Sequence, residues 1–106
     1  MANTYTNAKL DVTTTNATAL YTAASLTTGI VKSIIVSEDS GNADTITITL
    51  TNGSTVYSLF KTKAIGANAT VELLTAPLVI QPTEILKVTA ATANRLHVVA
   101  SVLEIT

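Results

Sequence analysis

The chain has few side chains that could do chemistry, and the first is its single histidine, His97. It stands between Leu96 and Val98 in an apolar stretch. A hydrolytic triad needs a nucleophile and a base that a third group orients, and no local elbow motif presents a nucleophile here. We interpret His97 as a surface or hydrogen-bonded structural residue. We expect no catalytic residue, no cofactor and no enzymatic activity.

The second candidate is the loop Glu38-Asp39-Ser40-Gly41-Asn42-Ala43-Asp44, which gathers three carboxylates and an amide. Hard cations such as Ca²⁺ take about six to eight oxygen ligands, and a loop of this kind supplies some of them. The spacing does not match the EF-hand loop. A solvated hairpin loop without a metal is the preferred interpretation, and the alternative is a cation site that uses Asp39 and Asp44.

Two lysines, Lys61 and Lys63, stand two residues apart in an apparent strand, which predicts that both lie on one face. One interpretation is that their charges protect an edge strand against edge-to-edge aggregation. The alternative is that they contact an acidic patch on a partner.

The remaining charged and aromatic residues argue against nucleic acid as a partner. Tyr5, Tyr21 and Tyr57 do not alternate with basic residues, so no stacking platform for bases or sugars is predicted. The six Lys and Arg residues are dispersed, and the net charge is −1. A nucleic-acid-binding domain normally shows a basic stripe.

The elements that would position these side chains are β-strands. Threonine makes up about a fifth of the 106 residues, and in the segment 45–51 it alternates with Ile or Leu. A period of two predicts a strand with one apolar face and one hydroxyl-bearing face. Asn52-Gly53 follows, a dipeptide preferred in type I′ turns. We therefore predict a hairpin that returns along Ser54 to Lys63.

Other short β-rich runs are separated by turn residues at intervals of about 8–12, as in all-β sandwiches and barrels. The run Ile30 to Ser37 carries apolar residues on two faces, with Ile30, Ile34 and Val36 on one and Val31 and Ile35 on the other. Burial on both faces is typical of a central strand in an assembly. The remaining predicted strands are 18–22, 70–74, 78–80, 85–90 and 96–105.

The predicted fold class is therefore all-β: a single antiparallel β-sandwich, jelly-roll-like or immunoglobulin-like, of about eight short strands. Residues 1–12 are predicted as a polar N-terminal strand or arm, and residues 13–106 as the sandwich domain. Hydrophobic residues make up 47% and charged residues 12% of the chain, which favours a folded domain. Aromatic residues make up only 4%, so few large side chains anchor the core and we expect self-association.

The composition also bears on where the protein works. Without cysteine there is no disulfide framework and no thiolate metal site. The N-terminal residues do not resemble a secretory signal, and no apolar run approaches the roughly 18 residues of a membrane span. We expect the protein to be synthesised in the cytoplasm. We expect it not to associate with a membrane.

The pattern of predicted strands and turn sequences resembles small β-sandwich virion proteins of tailed bacteriophages, of the head-decoration, neck or tail-accessory kind. The residues that carry the resemblance are Leu20–Ala23, Gly29–Ile34, Glu72–Ile80, Ile85–Ala90 and Ala93–Ile105. The resemblance implies a structural role in the virion as a symmetric homo-oligomer, with a trimer favoured. It implies no catalytic residue.

The leading functional prediction is a capsid decoration or cement protein that binds and stabilises the assembled phage shell. Its partners would be further copies of itself and the major capsid protein or another virion protein. The alternatives are a neck, tail or fibre-associated protein of the same particle, and a carbohydrate-binding or adhesin module. The assembly interface is predicted to use Asn3, Thr4, Tyr5, Leu10, Thr45, Thr47, Thr49, Lys61 and Lys63.

Overall fold

The computed structural model describes residues 2–106, and these residues form nine strands. Met1, the first residue of the predicted N-terminal segment, lies outside the described residues. The strands are β1 (Asn3–Asp11), β2 (Thr18–Thr22), β3 (Thr28–Glu38), β4 (Asp44–Asn52), β5 (Thr55–Ile65), β6 (Thr70–Glu72), β7 (Leu78–Ile80), β8 (Ile85–Ala90) and β9 (Leu96–Ile105).

The strands make two antiparallel sheets packed against each other. Sheet A has the order β1-β9-β3, with β6 and β7 both pairing with β3, and sheet B has the order β2-β8-β4-β5. The pairing is nested, because β4 pairs with β5, β3 with β6 and β7, β2 with β8, and β1 with β9. A long hairpin rolled into two sheets in this way has the strand order of a jelly roll.

The predicted fold class is confirmed: the structure is an all-β antiparallel sandwich. Of the two kinds of sandwich that the sequence left open, the strand order matches the jelly roll. The strand count is nine because β6 and β7 are two short pieces that share one position beside β3.

The N-terminal segment, predicted as a strand or an arm, is the strand β1. It pairs antiparallel with β9 from Asn3 opposite Ile105 to Asp11 opposite His97. The next residue, Val12, is buried, and its N–H donates to the carbonyl of Leu96 at 3.0 Å. The segment is therefore part of sheet A, as an edge strand with mostly exposed side chains.

The hydrophobic core lies between the two sheets and follows the alternation of the strands. Ile46 and Ile48 of β4 are fully buried, whereas Thr45, Thr47 and Thr49 are half-buried on the outer face of sheet B. The predicted two-faced character of this strand is confirmed. Sheet A supplies the opposite half of the core from Val31, Ile34, Val36, Val98, Ala100 and Val102.

The predicted faces of β3 are partly wrong. Ile30 does not share a face with Ile34 and Val36, because the register with β9 slips between Val31 and Ser33. This bulge adds one residue to β3, so Val31, Ile34 and Val36 face the core and Ile30 and Ile35 face outward. The predicted central position of β3 is confirmed, since it lies between β9 and the β6–β7 pair. Burial on both faces is not found within the chain, because Ile35 on the outer face is 40% exposed.

The β4–β5 hairpin is confirmed, but its turn lies one residue later than predicted. Asn52 pairs with Thr55, so the two central turn residues are Gly53 and Ser54. Only Gly53 of these has a positive φ, 61°. A positive φ at the first central position alone is the pattern of a type II′ turn, not type I′.

One buried hydroxyl gives a stability prediction. Among residues 2–106, Thr51 Oγ1 is the buried side-chain oxygen without a hydrogen-bond partner. Replacing Thr51 with the similarly shaped Val removes this polar atom, so we expect the free energy of unfolding to rise by about 1 kcal/mol. Thr49→Val, on the same strand and half-buried, is the control and should change stability by less than about 0.5 kcal/mol. Chemical denaturation measures both, and a less stable Thr51→Val variant would contradict the prediction.

Candidate assembly interface

The outer face of sheet A carries two rows of apolar side chains that run across the strands. In the first row, register places Tyr5 beside Leu103, Leu103 beside Ile30, and Ile30 beside Val79. In the second row, Val99 lies beside Ile35. We call these six residues the sheet A face: Tyr5, Leu103, Ile30, Val79, Val99 and Ile35.

The sheet A face is accessible to a partner. Tyr5 is 73% exposed, Val79 46%, and Ile35 and Val99 40% each, while Ile30 and Leu103 are partly buried. Single exposed apolar residues are ordinary, but contiguous apolar patches mark interaction sites. Sheets that bear apolar residues on both faces are normally covered on both. The sheet A face is thus the surface best suited to bind another protein.

The two rows are separated and flanked by polar residues. A row of Asn7, Ser101 and Ser33 lies between them. The second row ends in Lys9 on β1, next to Val99, and in Glu72 on β6, next to Ile35. Opposite charges therefore stand at opposite edges of the same row.

The structure distributes the predicted interface residues over three surfaces. Asn3, Thr4, Tyr5 and Leu10 all lie on β1, but only Tyr5 belongs to the sheet A face, and Leu10 packs against the core. The predicted threonines lie on the outer face of the other sheet. Five of the six residues of the sheet A face were missed: Ile30, Ile35, Val79, Val99 and Leu103.

The predicted threonine surface has an intramolecular role at one position. Thr47 Oγ1 accepts a hydrogen bond at 3.0 Å from the backbone N–H of Thr62, which has a positive φ of 48°. Thr62 lies in a bulge of β5, where the register slips between Ile46 and Ile48 of β4. Thr47 therefore stabilises this bulge and is less free for a partner than its exposure suggests.

The same bulge changes the interpretation of the two lysines. Lys63 pairs with the core-facing Ile46, whereas Lys61 follows Phe60, which pairs with the core-facing Ile48. The two lysines therefore lie on opposite faces of β5, and the predicted common face is wrong. Both lie on β5, which is an edge strand of sheet B. Charged residues and bulges on an edge strand hinder pairing with another chain, so this edge is a poor docking site for an added strand.

The carboxylate loop is organised by Glu38, whose side chain is buried. Its carboxylate accepts hydrogen bonds from the N–H groups of Ser40 (2.8 Å), Gly41 (3.0 Å) and Asn68 (3.0 Å), and from the Ser40 hydroxyl. Burial acts to raise the pKa of Glu38, but the hydrogen bonds from Ser40, Asn68 and Gly41 outweigh it and lower the pKa to about 2. Glu38 thus joins the β3–β4 loop to the β5–β6 loop.

The two candidate cation ligands have separate protein partners. Asp44 is buried, and its Oδ2 accepts the N–H of Thr92 at 3.2 Å. Asp39 Oδ2 lies 3.4 Å from His97 Nδ1, and Asp11 Oδ1 lies 3.2 Å from His97 Nε2. Within residues 2–106, no group of three or more histidine, cysteine or acidic side chains has the geometry to hold a metal ion.

His97 therefore links three parts of sheet A. It stands in β9, beside Asp11 of β1 and near Asp39, which follows β3. All three side chains are largely exposed, and ion pairs in this setting contribute about 0–1 kcal/mol.

The other acidic residues also bind groups within the chain. Glu72 accepts the N–H groups of Ile34 (2.8 Å) and Leu74 (3.1 Å) and the hydroxyl of Ser33. Burial acts to raise the pKa of Glu72, but these hydrogen bonds, led by that of Ser33, outweigh it and lower the pKa. Glu84 Oε1 accepts the N–H of Gln81 at 2.7 Å.

Tyr21 and Glu104 form the last of these contacts. The Tyr21 hydroxyl donates to Glu104 Oε2 at 2.7 Å. Burial, then this hydrogen bond and the charge of Glu104, raise the pKa of Tyr21. Each of the seven acidic side chains thus has an internal partner, whereas within residues 2–106 no lysine pairs with a carboxylate.

The comparisons with known proteins add no relative. The chain matches no protein-family model, no curated protein and no solved structure. Residues 2–106 contain no helix with the length and apolarity needed to cross a membrane. The sheet A face, defined by strand register and exposure, is therefore the feature of the structure that bears on function.

Proposed function

We propose that this chain is a non-enzymatic structural protein of a bacteriophage particle, most concretely a capsid decoration protein that binds and stabilises the assembled shell. The observation that carries the proposal is the sheet A face, whose six apolar side chains lie together on one outer face of the sandwich. The jelly-roll order is consistent with it, because viral capsid domains use this architecture among others.

Rigidity and low charge support an assembly role. Glu38, Glu72 and Glu84 each hold turn or loop backbone by hydrogen bonds, so the ends of the strands are fixed before any partner binds. A preorganised surface loses less conformational entropy on association. The six residues of the sheet A face are apolar, and the charged residue between its two rows is exposed Lys32, in the bulge of β3. The long stem of Lys32 lets its ammonium stay in water while the apolar rows are covered.

The stabilising effect on a shell would follow from mass action. A protein that binds an assembled lattice but not its dissociated subunits shifts the equilibrium toward the lattice, in proportion to the logarithm of its concentration over the Kd. Many copies on one particle would add their contributions. The protein thus needs binding surfaces and no reaction chemistry.

The test is the protein content of the phage particle whose genome encodes the chain. Mass spectrometry of purified particles should detect the chain, and gel densitometry should give a copy number of the same order as the major capsid protein. Its absence from intact particles would overturn the proposal. A copy number of only a few per particle would overturn the decoration role and point to a neck or tail position.

A further inference from the structure

We infer that the partner that covers the sheet A face is a second copy of this chain, related by a two-fold axis that runs parallel to β3 and β9 and passes between them. The inference rests on the proposed function only in that it takes the sheet A face as an assembly contact. It assigns this contact to two copies of the chain, so binding to the shell would use the surfaces that the dimer leaves free. It goes further by naming the occupant and the symmetry.

The two-fold operation fixes which strands meet. A two-fold axis parallel to the strands leaves the position of each row along the strands unchanged and exchanges the two edges of the sheet. As a result, β9 faces β3 of the second copy, and β1 faces its β6 and β7. In such an isologous contact every pair of residues occurs twice. The two sheets then pack face to face in the aligned manner, at about −30°.

The apolar residues match under this operation. In the first row, Leu103 meets Ile30 of the second copy, and Tyr5 meets Val79. In the second row, Val99 meets Ile35. All six residues of the sheet A face are therefore covered by apolar side chains. Lys32, in the bulge between the rows, lies level with Ser101 and Val102 of β9, so it faces the serine row of the second copy and not one of the six apolar residues.

The charged ends of the second row match as well. Lys9 on β1 meets Glu72 on β6 of the second copy, because the operation exchanges the two edges of sheet A. The Glu72 carboxylate is held in place by the N–H groups of Ile34 and Leu74. Two Lys–Glu pairs would thus form, one at each side of the interface, and they select this orientation more than they add affinity.

The other in-plane axis gives a poorer match. An axis perpendicular to the strands, along the row of Asn7 and Ser101, would set the first apolar row against the second. Lys9 would then meet Tyr5 of the second copy, and Glu72 would meet Val79. The Glu72 carboxylate would lose water without gaining a cation, which is unfavourable. Charge complementarity therefore favours the axis along the strands.

The available area suits a dimer. Strands β1 and β3 have 9 and 11 residues, so the sheet is about 30 Å long and, with four strand positions, about 15–20 Å wide. Its flat footprint is about 500–600 Å², and protruding side chains add to the area that a partner would bury. This approaches the roughly 800 Å² per partner of a standard protein interface.

Sedimentation equilibrium of the purified chain tests the symmetry. At about 0.1 mM, where a micromolar dimer is almost fully assembled, we expect a mass of twice 11.0 kDa. Ile35→Asp with Val99→Asp should halve that mass while the variant still melts cooperatively. Val56→Asp on β5, at a residue that is 60% exposed, is the matched control and should remain a dimer. A wild-type monomer or trimer would overturn the inference.

Disulfide trapping tests the orientation, and the chain has no cysteine to interfere. Tyr5→Cys and Val79→Cys are made as separate proteins and mixed under mild oxidation. Within one chain the two positions are three strand spacings apart, about 14 Å, too far for a disulfide. The mixture should crosslink at least ten-fold faster than a mixture of Tyr5→Cys with Tyr57→Cys, whose exposed Tyr57 lies on β5. Equal rates would overturn the axis along the strands.

These measurements separate the inference from the proposed function. A dimer of the purified chain, combined with its absence from particles, would support the pairing and overturn the virion role. A monomer in solution that nevertheless occurs in particles at high copy number would overturn the pairing and leave the virion role intact.

Discussion

Replacing Glu38 with Gln is expected to lower the melting temperature at pH 7 by an amount on the order of 10 °C. Three backbone N–H groups and the Ser40 hydroxyl converge on the Glu38 carboxylate. Gln has one carbonyl oxygen and a donor NH₂ group, so some of these donors would face another donor. Because Gly41 and Asn68 belong to different loops, both connections would loosen together.

The same substitution should change how stability depends on pH. The pKa of Glu38 is about 2 in the folded chain against an ordinary value of 4.5. A lowered folded pKa means that the ionised carboxylate stabilises the fold. This contribution is fully present above about pH 4.5 and is lost as the pH falls toward 2. The difference in melting temperature between wild type and Glu38→Gln should therefore be largest at neutral pH and shrink below pH 4.5.

The neighbouring carboxylate provides the control for both measurements. The Asp39 side chain is exposed and lies 3.4 Å from His97 Nδ1, its one ion-pair partner within residues 2–106. Asp39→Asn should change the melting temperature by only a few degrees, because exposed ion pairs contribute little. Thermal unfolding followed by circular dichroism from pH 7 to pH 2 is sufficient. If Glu38→Gln and Asp39→Asn melted together, Glu38 would not organise these loops.

Local alternation explains which parts of the fold the sequence predicted well. Threonine and isoleucine alternate without interruption around Ile46 and Ile48, and both isoleucines are buried. The Gly53 turn then forces the chain back within two residues, so the register near the turn, from Asn52 opposite Thr55 to Thr49 opposite Ser58, follows from adjacency. Patterns of this kind depend on neighbouring residues only, which is why they can be read without the partner strands.

The bulges at Lys32 and Thr62 could not be predicted from local alternation in the sequence. Each adds a residue whose position depends on the opposite strand: Ser101 and Val102 of β9 for the first, and Thr47 for the second. One inserted residue reverses the faces of everything beyond it. The face of Ile30 and the common face of Lys61 and Lys63 were therefore both assigned incorrectly.

The candidate site was predictable only in part for a similar reason. The two apolar faces of the run from Ile30 to Ser37 did indicate that β3 lies in the middle of its sheet. Their neighbours in space, Tyr5 and Val79, are brought there by pairings between residues that are far apart in the chain. The role of Glu38 depended on Asn68, a donor thirty residues away. The clustered acidic residues left a cation site open as the alternative to a solvated loop, whereas in the structure each of them has a partner within the protein.

Replacing Gly29 with Ala is the second prediction with a large expected effect. A Cβ at this position would lie 2.7 Å from Cε2 and 2.8 Å from the hydroxyl oxygen of Tyr21. Tyr21 is buried, and its hydroxyl is bonded to Glu104 at 2.7 Å, so the ring cannot move away without losing that bond. Overpacking of this kind costs about 1–3 kcal/mol, which we expect to see as a loss in the free energy of unfolding by chemical denaturation.

Gly66 provides the matched control, because a Cβ there would meet the Cβ of Ala69 at an ordinary 3.7 Å. Gly66→Ala should be neutral or stabilise the fold by up to about 1 kcal/mol. In a Tyr21→Ala background the clash is gone, so adding Gly29→Ala should cost less than about 0.5 kcal/mol, and the two substitutions should be strongly non-additive. If Gly29→Ala lowered the free energy of unfolding equally with and without the Tyr21 ring, the need for glycine at this position would come from the backbone. The absence of a Cβ at Gly29 would then not be what lets Tyr21 of sheet B reach Glu104 of sheet A.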